Sequence, residues 1–202
     1  MPTLAALKSQ IAGDLHRSDL SAQISLAISA AVRHFGRKDL WFLEQRAMTS
    51  ASASQAWYAV PTDFNNGDTM LITLSGSKTP LIRASYQEID EKDDGTTYGA
   101  PAEYCIYQDQ FRLYPVPDTG YELGLSYRAH LSVPESDSAS NAWSNVAFDL
   151  IRFRAEWDVC KHYLHDPERA AEARTSEAEA FASILGESVD KVATGRIKRS
   201  GW

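Results

Sequence analysis

The sequence predicts an α+β protein that is mainly an α-helical bundle with an inserted, antiparallel β-rich subdomain and an extended C-terminal tail. Three observations predict it: apolar residues recur every three or four positions at the start, every second position in the middle, and again every three or four positions after a polar linker. The predicted segments are N-terminal helices at 1–43, the β-rich subdomain at 44–132, two long C-terminal helices at 133–194, and the tail at 195–202.

The N-terminal segment reads as two helices. Thr3 is a suitable N-cap for the first, because its hydroxyl can accept a hydrogen bond from the first turn. Apolar side chains then lie on one face of each helix. They are Leu4, Leu7, Ile11 and Leu15 in the first helix, and Ile24, Ile28, Ala31, Val32 and Phe35 in the second.

The middle segment reads as a series of short strands and turns. The clearest hairpin joins 104–107 to 111–114 through Gln108-Asp109. A second hairpin joins 69–74 to 80–84 around Gly76, and the Ser/Ala-rich turn at 50–54 predicts a third. Residues 121–130 form one more strand, and 86–91 a single helical turn.

Two long helices are predicted after the linker. Asn141 or Ser144 can cap a helix that runs to about His165, and its dense apolar residues predict the central position in the bundle. Pro167 begins the last helix, whose first half is rich in alanine and charge. Two interpretations stay open for that half: a solvated helix, or close packing between subunits. The candidate packing residues are Ala170, Ala171, Ala173 and Ala178.

Composition sets limits on the class of protein. The chain has 202 residues, of which 44% are hydrophobic and 23% charged, so it can bury a core and is not a disordered chain. No apolar stretch is long enough to span a bilayer, and the start of the chain lacks the pattern of a secretion signal, which predicts a protein that is cytosolic when made and does not associate with a membrane. Cys105 and Cys160 are expected to be reduced, buried thiols.

The C-terminal end of the chain is positively charged, whereas the rest of the chain is negatively charged. The net charge is −7, but residues 191–202 hold four basic residues and no acidic one, so residues 1–190 carry −11. Such a tail is either a frayed terminus or a docking peptide. As a docking peptide, it fits a protein surface better than nucleic acid, because the acidic body repels phosphate. The tail includes Gly195, Arg196, Ile197, Lys198, Arg199 and Trp202.

No arrangement of residues predicts catalysis. His162 and His165 lie at helical spacing beside Asp166, which fits a polar helix end better than a metal site. The chain has no phosphate-binding glycine loop, no G-x-S-x-G motif and no C-x-x-C motif. The sequence therefore predicts a protein that is not an enzyme and holds no cofactor or metal.

The order of several motifs resembles the head-to-tail adaptor (connector) proteins of tailed bacteriophages, a group that includes tail accessory factors and the adaptors of gene transfer agents. The resemblance covers almost the whole chain. The matching motifs are Asp14-Leu15-x-Arg17-x-Asp19-Leu20, Trp57-Tyr58-x-x-Pro61-x-Asp63-Phe64, Pro101-x-x-Tyr104-x-Ile106-Tyr107, Phe111-Arg112-Leu113-Tyr114-Pro115-x-Pro117, Asn141-Ala142-Trp143, Asp149-Leu150-Ile151-Arg152 and Thr194-Gly195-Arg196-Ile197.

The resemblance implies a structural role in the virion. Similar proteins form a ring, typically of twelve copies, beneath the portal protein of a DNA-filled capsid and connect it to the tail. The C-terminal segment of similar proteins reaches the portal, which gives the tail residues named above their docking role. A stopper or nozzle protein is the expected partner on the tail side, and genomic DNA passes through the central channel without specific binding.

Negative charge suits the wall of such a channel, because carboxylates repel phosphate and let DNA slide. The acidic loop after residue 90 supplies the candidates Glu91, Asp93 and Asp94.

Two other functions stay open. Cell-wall hydrolysis has been suggested for some related tail accessory factors, and a peptidoglycan hydrolase needs two carboxylates about 5 to 10 Å apart across a sugar cleft. A DNA-binding accessory protein could instead use the basic tail.

Overall fold

The protein contains two compact units. The computed structural model describes residues 1–192. One unit, the helical unit, combines Met1–Leu43 with the chain from Leu131 onward, and the other, the strand-rich unit, is Glu44–His130. The second unit is thus inserted into the first.

Six α-helices and ten strands make up the described chain. The helices are α1 Leu4–Asp14, α2 Ser21–Phe35, α3 Tyr86–Lys92, α4 Ala142–Asn145, α5 Phe148–Val159 and α6 Pro167–Val192, with a 3-10 turn at Trp41–Leu43 and a π-helical turn at Cys160–Leu164. The strands are β1 Glu44–Ala51, β2 Trp57–Ala59, β3 Phe64–Leu74, β4 Ser77–Pro80, β5 Ile82–Arg83, β6 Tyr98–Gly99, β7 Glu103–Tyr107, β8 Gln110–Tyr114, β9 Val116–Pro117 and β10 Tyr121–Ala129.

The N-terminal helices form as the sequence predicts. The Oγ1 atom of Thr3 accepts a hydrogen bond from the backbone N–H of Ala6 at 3.3 Å, which caps α1. The apolar faces of α1 and α2 are buried, and α5 packs against both. The central position predicted for the second-last helix is therefore confirmed, since α5 also packs against α6.

Trp143 lies at the centre of the helical unit's core. Its ring is 1% exposed and meets the ring of Phe42 edge to face, with centroids 5.0 Å apart. Its indole N–H donates to the backbone carbonyl of Leu131 at 2.7 Å. Trp143 thus links the segment before the strand-rich unit to the segment after it.

The predicted helix from Asn141 to about His165 is interrupted. Asn141 caps α4 as expected, by accepting a hydrogen bond from the backbone N–H of Trp143 at 3.0 Å, but α4 ends after a single turn and α5 begins at Phe148. The helix then ends in the π-helical turn, where His165 adopts a left-handed conformation with φ 53°. Pro167 starts α6 at the predicted position.

The strand-rich unit is built from two four-stranded sheets. The first is antiparallel with the order β1-β10-β3-β4. The second has the order β2-β8-β7-β5, in which only β5 and β7 run parallel. A short parallel pair, β6 with β9, completes the unit.

Two of the three predicted hairpins are confirmed. Strands β7 and β8 pair through the turn at Gln108-Asp109, where both residues have a positive φ that suits a two-residue hairpin turn. Strands β3 and β4 pair around Gly76, although β3 is longer than predicted and the second strand is Ser77–Pro80 instead of 80–84. The hairpin predicted across 50–54 is wrong, because β1 pairs with β10 and β2 pairs with β8.

The two sheets share one hydrophobic core. It includes Met70, Ile72 and Leu125 from the first sheet, and Tyr104 and Leu113 from the second. At Gly67 the backbone of β3 approaches the second sheet so closely that an added Cβ would lie 2.8 Å from the Cδ1 atom of Ile106. No larger residue fits there without displacing its neighbour.

The expectation of a mainly helical bundle is wrong. The described chain is 43% helical and 27% strand, and it contains a large antiparallel sheet. The inserted region is a compact unit with its own core. The sequence pattern indicates single strands, but it does not show that they pair into two four-stranded sheets, because this pairing joins residues that are far apart along the chain.

The two thiols agree with the sequence prediction. Cys105 and Cys160 are both free and buried. Among the described residues, none of the helices has the length and apolar character needed to cross a bilayer.

We expect Trp143→Ala to destabilise the protein by about 3 to 5 kcal/mol, because it leaves a cavity in the core and removes the hydrogen bond to Leu131. Urea unfolding followed by far-UV circular dichroism measures the change. Val189→Ala is the control, since Val189 is 68% exposed and its truncation should alter the free energy of unfolding by less than about 0.5 kcal/mol. Equal effects of the two substitutions would contradict the role given to Trp143.

Candidate assembly surfaces

The four alanines predicted for subunit packing lie on two sides of α6. Ala170 and Ala173 are each 7% exposed and pack within the helical unit, so contacts inside one subunit already account for them. Ala171 and Ala178 are exposed. Packing between subunits through this helix stays a prediction, and these two alanines are the ones open to a neighbour.

One stripe of the exposed surface of α6, in the first half of the helix, is acidic and otherwise made of small residues. We call it the outer face of α6 and define it as Glu168, Ala171, Glu172, Thr175, Ala178 and Glu179. None of these side chains carries a positive charge. Alanine and threonine allow another backbone to approach closely, and the glutamates attract cations.

The acidic loop begins at the end of α3. Ser85 and Glu88 form a reciprocal capping box that starts this helix, with bonds of 2.7 and 3.2 Å. The helix then brings Asp90 and Asp93 to Arg112 of β8. The Nη1 atom of Arg112 donates to Asp90 at 3.0 Å, and its Nη2 atom donates to Asp93 at 2.5 Å.

Arg112 is the centre of a buried cluster in the strand-rich unit. Only 8% of the residue is exposed, and its guanidinium lies 5.2 Å from the ring centroid of Trp57 and 5.8 Å from that of Tyr86. Tyr107 in turn stacks on Tyr86 at 4.4 Å. Burial lowers the pKa of Arg112, because it disfavours the charged form. The hydrogen bonds to Asp90 and Asp93 have the larger combined effect, so the pKa is raised above its ordinary value. Arg112 therefore fastens α3 to the second sheet.

The three candidate channel residues differ in their exposure and in whether a neighbouring side chain neutralises their charge. The side chain of Asp93 is 12% exposed and paired with Arg112, so its charge is neutralised within the protein. Asp94 is exposed, and hydrogen bonds from the backbone and side chain of Thr96 and from Thr97 lower its pKa. Glu91 is exposed. Glu91 and Asp94 are thus the exposed members of the set.

A second buried polar cluster lies in the helical unit, where α1 and α5 meet. The Nε atom of Arg152 donates to Asp14 at 2.7 Å and to Glu156 at 3.0 Å. Burial, followed by a hydrogen bond with Asp14 and repulsion from its charge, raises the pKa of Glu156 to about 8. Burial opposes the ionisation of Asp14 too, but bonds with Glu156, Arg152 and Gln10 hold its pKa below the ordinary value. The pair shares one proton at neutral pH.

This pair borders a cleft that Arg169, Glu172 and Ser176 also line. Both carboxylates accept a hydrogen bond from the same Nε atom of Arg152, which holds the two carboxyl groups side by side. A glycosidase holds its two carboxylates about 5 to 10 Å apart on opposite sides of the scissile bond. The arrangement therefore joins helices and does not favour hydrolysis.

The predicted site residues in the tail, Gly195, Arg196, Ile197, Lys198, Arg199 and Trp202, lie outside the described residues. Within residues 1–192, no group of three or more His, Cys, Asp or Glu side chains is placed to hold a metal ion.

Comparison with known proteins identifies the family. A family model described as SU10 adaptor protein matches residues 2–200. The chain belongs to the SU10 adaptor protein family. No curated protein matches the chain.

Membership of the SU10 adaptor family confirms the resemblance to phage adaptors. The chain is a structural adaptor protein of a bacteriophage, and as such a component of the virion that assembles at the head-to-tail junction. The match extends over both units and over most of the tail.

Sequence reasoning missed the Arg112 cluster. A signal was present: Arg112 stands between Phe111 and Leu113 in an otherwise apolar strand, and an arginine at such a position needs an acidic partner. Asp90 and Asp93 are one helical turn apart, which places both on one side of α3. The distance along the chain between these residues and Arg112 concealed the pairing.

We expect the stability of the protein to fall between about pH 5 and 8 because of Glu156. The unfolded chain releases this proton near the ordinary pKa of 4.5, whereas the fold retains it up to a pKa of about 8. The folded state binds more protons in this range, so the free energy of unfolding decreases as pH rises, by up to about 1.4 kcal/mol for each pH unit.

Glu156→Gln keeps a hydrogen-bond donor for Asp14 and should flatten this decrease. Urea unfolding at a series of pH values measures it. Glu179→Gln removes an exposed carboxylate and serves as the control, with the decrease retained. An unchanged profile in Glu156→Gln would show that another group causes the dependence.

Proposed function

We propose that this adaptor forms a ring, of twelve copies, beneath the portal protein and joins the DNA-filled capsid to the tail. The observation that carries the proposal is the SU10 adaptor match over residues 2–200, which includes both units and most of the basic tail. The charge pattern supports it, because an acidic body surrounds a path for DNA while a basic peptide seeks a protein partner. A stopper or nozzle protein binds the opposite side.

The tail at 195–202 docks on the portal. Ordering this peptide has an entropic cost, which Trp202 offsets by filling an apolar pocket and Arg196 and Arg199 offset by pairing with portal carboxylates. Each contact is modest, but its repetition around a ring multiplies the affinity.

Deletion of residues 195–202 should leave the fold intact and weaken binding to portal-bearing capsids about a hundredfold or more, because the avidity of the ring is lost. Circular dichroism checks the fold, and co-sedimentation with capsids measures binding. Ser200→Ala is the matched control, in which the peptide keeps its charges and its indole. Full binding by the truncated protein would disprove portal docking through the tail.

The channel is lined by the exposed carboxylates of Glu91, at the end of α3, and Asp94, in the acidic loop that follows. Glu91 and Asp94 project charge that is not neutralised by Arg112, so they can repel the phosphates of passing DNA. In contrast, Asp93 accepts a hydrogen bond from Arg112 and so fastens the end of α3 and the start of the loop.

Glu91→Lys should slow genome release severalfold, since a ring of added cations binds phosphate and holds DNA in the channel. Release from purified virions, followed with a DNA-binding dye at low and high salt, measures the rate. High salt should restore it. Glu135→Lys makes the same charge change at an exposed site in the helical unit and should release normally. Equal rates for the two variants would place Glu91 away from the channel.

A further inference from the structure

A positively charged aromatic surface lies on the helical unit, where α5 meets α6. We call it the Trp157 patch and define it as Arg154, Trp157, Lys161 and Arg174. The three cations surround the half-buried indole of Trp157: the guanidinium of Arg154 lies 4.2 Å from the ring centroid, the ammonium of Lys161 4.7 Å and the guanidinium of Arg174 5.6 Å. A cation–π interaction needs only one cation over an aromatic ring, whereas three cations surround this indole.

One buried carboxylate organises this patch. Glu177 has a side chain that is 6% exposed, and it accepts hydrogen bonds from Arg174 at 2.7 Å and from Arg154 at 3.4 Å. It neutralises part of the positive charge and fixes both guanidinium groups. Lys161 is exposed and adds a charge at the rim.

The positive field extends to α2. Burial, followed by the charge of Arg154 and then of Lys38 and Arg174, lowers the pKa of His34, while Glu177 acts in the opposite direction. On the far side of Trp157, His162 meets the indole edge to face and lies 3.8 Å from Asp158. The patch is thus a local surplus of positive charge on a body that carries −11 over residues 1–190.

The outer face of α6 has the complementary properties. Its charged members Glu168, Glu172 and Glu179 are exposed and negative, and its other members are small. From the helical repeat, these glutamates lie roughly 120–160° around the axis from Arg174. One helical unit therefore presents a cationic, aromatic surface and an acidic, small-residue surface in different directions.

We propose that the Trp157 patch of one subunit docks on the outer face of α6 of the next subunit. The inference rests on the proposed function, because a closed ring of identical subunits joined head to tail must bury two different surfaces of the same molecule. The charges of the two surfaces are opposite, and the small side chains of the outer face let the indole and its cations approach the helix backbone. A second copy of this chain therefore carries the surface that the Trp157 patch fits.

The first test is a zero-length carbodiimide cross-link on rings assembled on portal-bearing capsids. It joins amines to carboxylates in direct contact. Protein mixed from ¹⁴N and ¹⁵N preparations distinguishes links between subunits from links within one. We expect mixed-isotope peptides that join Lys161 to Glu168, Glu172 or Glu179. Cross-links from Lys161 to portal carboxylates, or none between subunits, would overturn the proposal.

The second test is a charge exchange. Lys161→Glu and Glu179→Lys should each weaken the contact between subunits about three- to tenfold, and the double variant should regain ring formation. Lys78→Glu, at an exposed position in the strand-rich unit, is the matched control and should assemble normally. The number of adaptor copies per capsid, from quantitative mass spectrometry, measures assembly. Failure of the double variant to regain assembly would contradict a direct contact.

The outcomes separate the inference from the proposed function. Unaltered protein that forms no ring on portal-bearing capsids would refute the ring itself. Rings that form as well with Lys161→Glu as without it would refute only the contact through the Trp157 patch. If Lys161→Glu weakened binding to DNA but left ring formation unchanged, the patch would be a phosphate-binding surface. That result would overturn the proposal.

Discussion

The helical unit depends on packing between two segments that the chain itself separates. Residues 44–130 fold as an inserted unit, so α2 and α5 are joined across this insertion by side-chain contact. The contact of Phe42 with Trp143 and the bond from Trp143 to Leu131 lie where the two segments meet. The Arg152 cluster adds a polar link from α5 to α1. A helical unit assembled in this way can carry a large insertion, because its core forms without that insertion's residues.

One arginine in each unit performs the same task. Arg112 holds α3 against a sheet, and Arg152 holds α1 against α5. In each case two carboxylates share one guanidinium, which reduces the cost of burying charge. These acidic residues thus have a structural role. Only the exposed carboxylates, such as Glu91 and those on the outer face of α6, are available to act on DNA or on a neighbouring subunit.

Local features of the fold were readable from the sequence, and distant ones were not. The Thr3 cap and the turn at Gln108-Asp109 depend on residues a few positions apart, so the sequence predicted both. The pairing of β1 with β10 joins residues that are distant along the chain, such as Glu44 and Arg128, and no local pattern specifies it. Similarly, alanine in an exposed-looking helix did not reveal that Ala170 and Ala173 face their own core. Arg154, Trp157 and Lys161 have helical spacing in the sequence. The sequence does not show that Arg174 from the next helix lies against the same ring.

The burial of Cys105 and Cys160 makes the protein well suited to single-site chemical labelling. Burial raises the pKa of both thiols, so they stay protonated and react slowly with maleimides. A cysteine introduced on the surface of either unit would therefore take up a fluorophore or a spin label selectively, with both native residues left in place. The orientation of each unit could then be followed by spectroscopy as the virion is built.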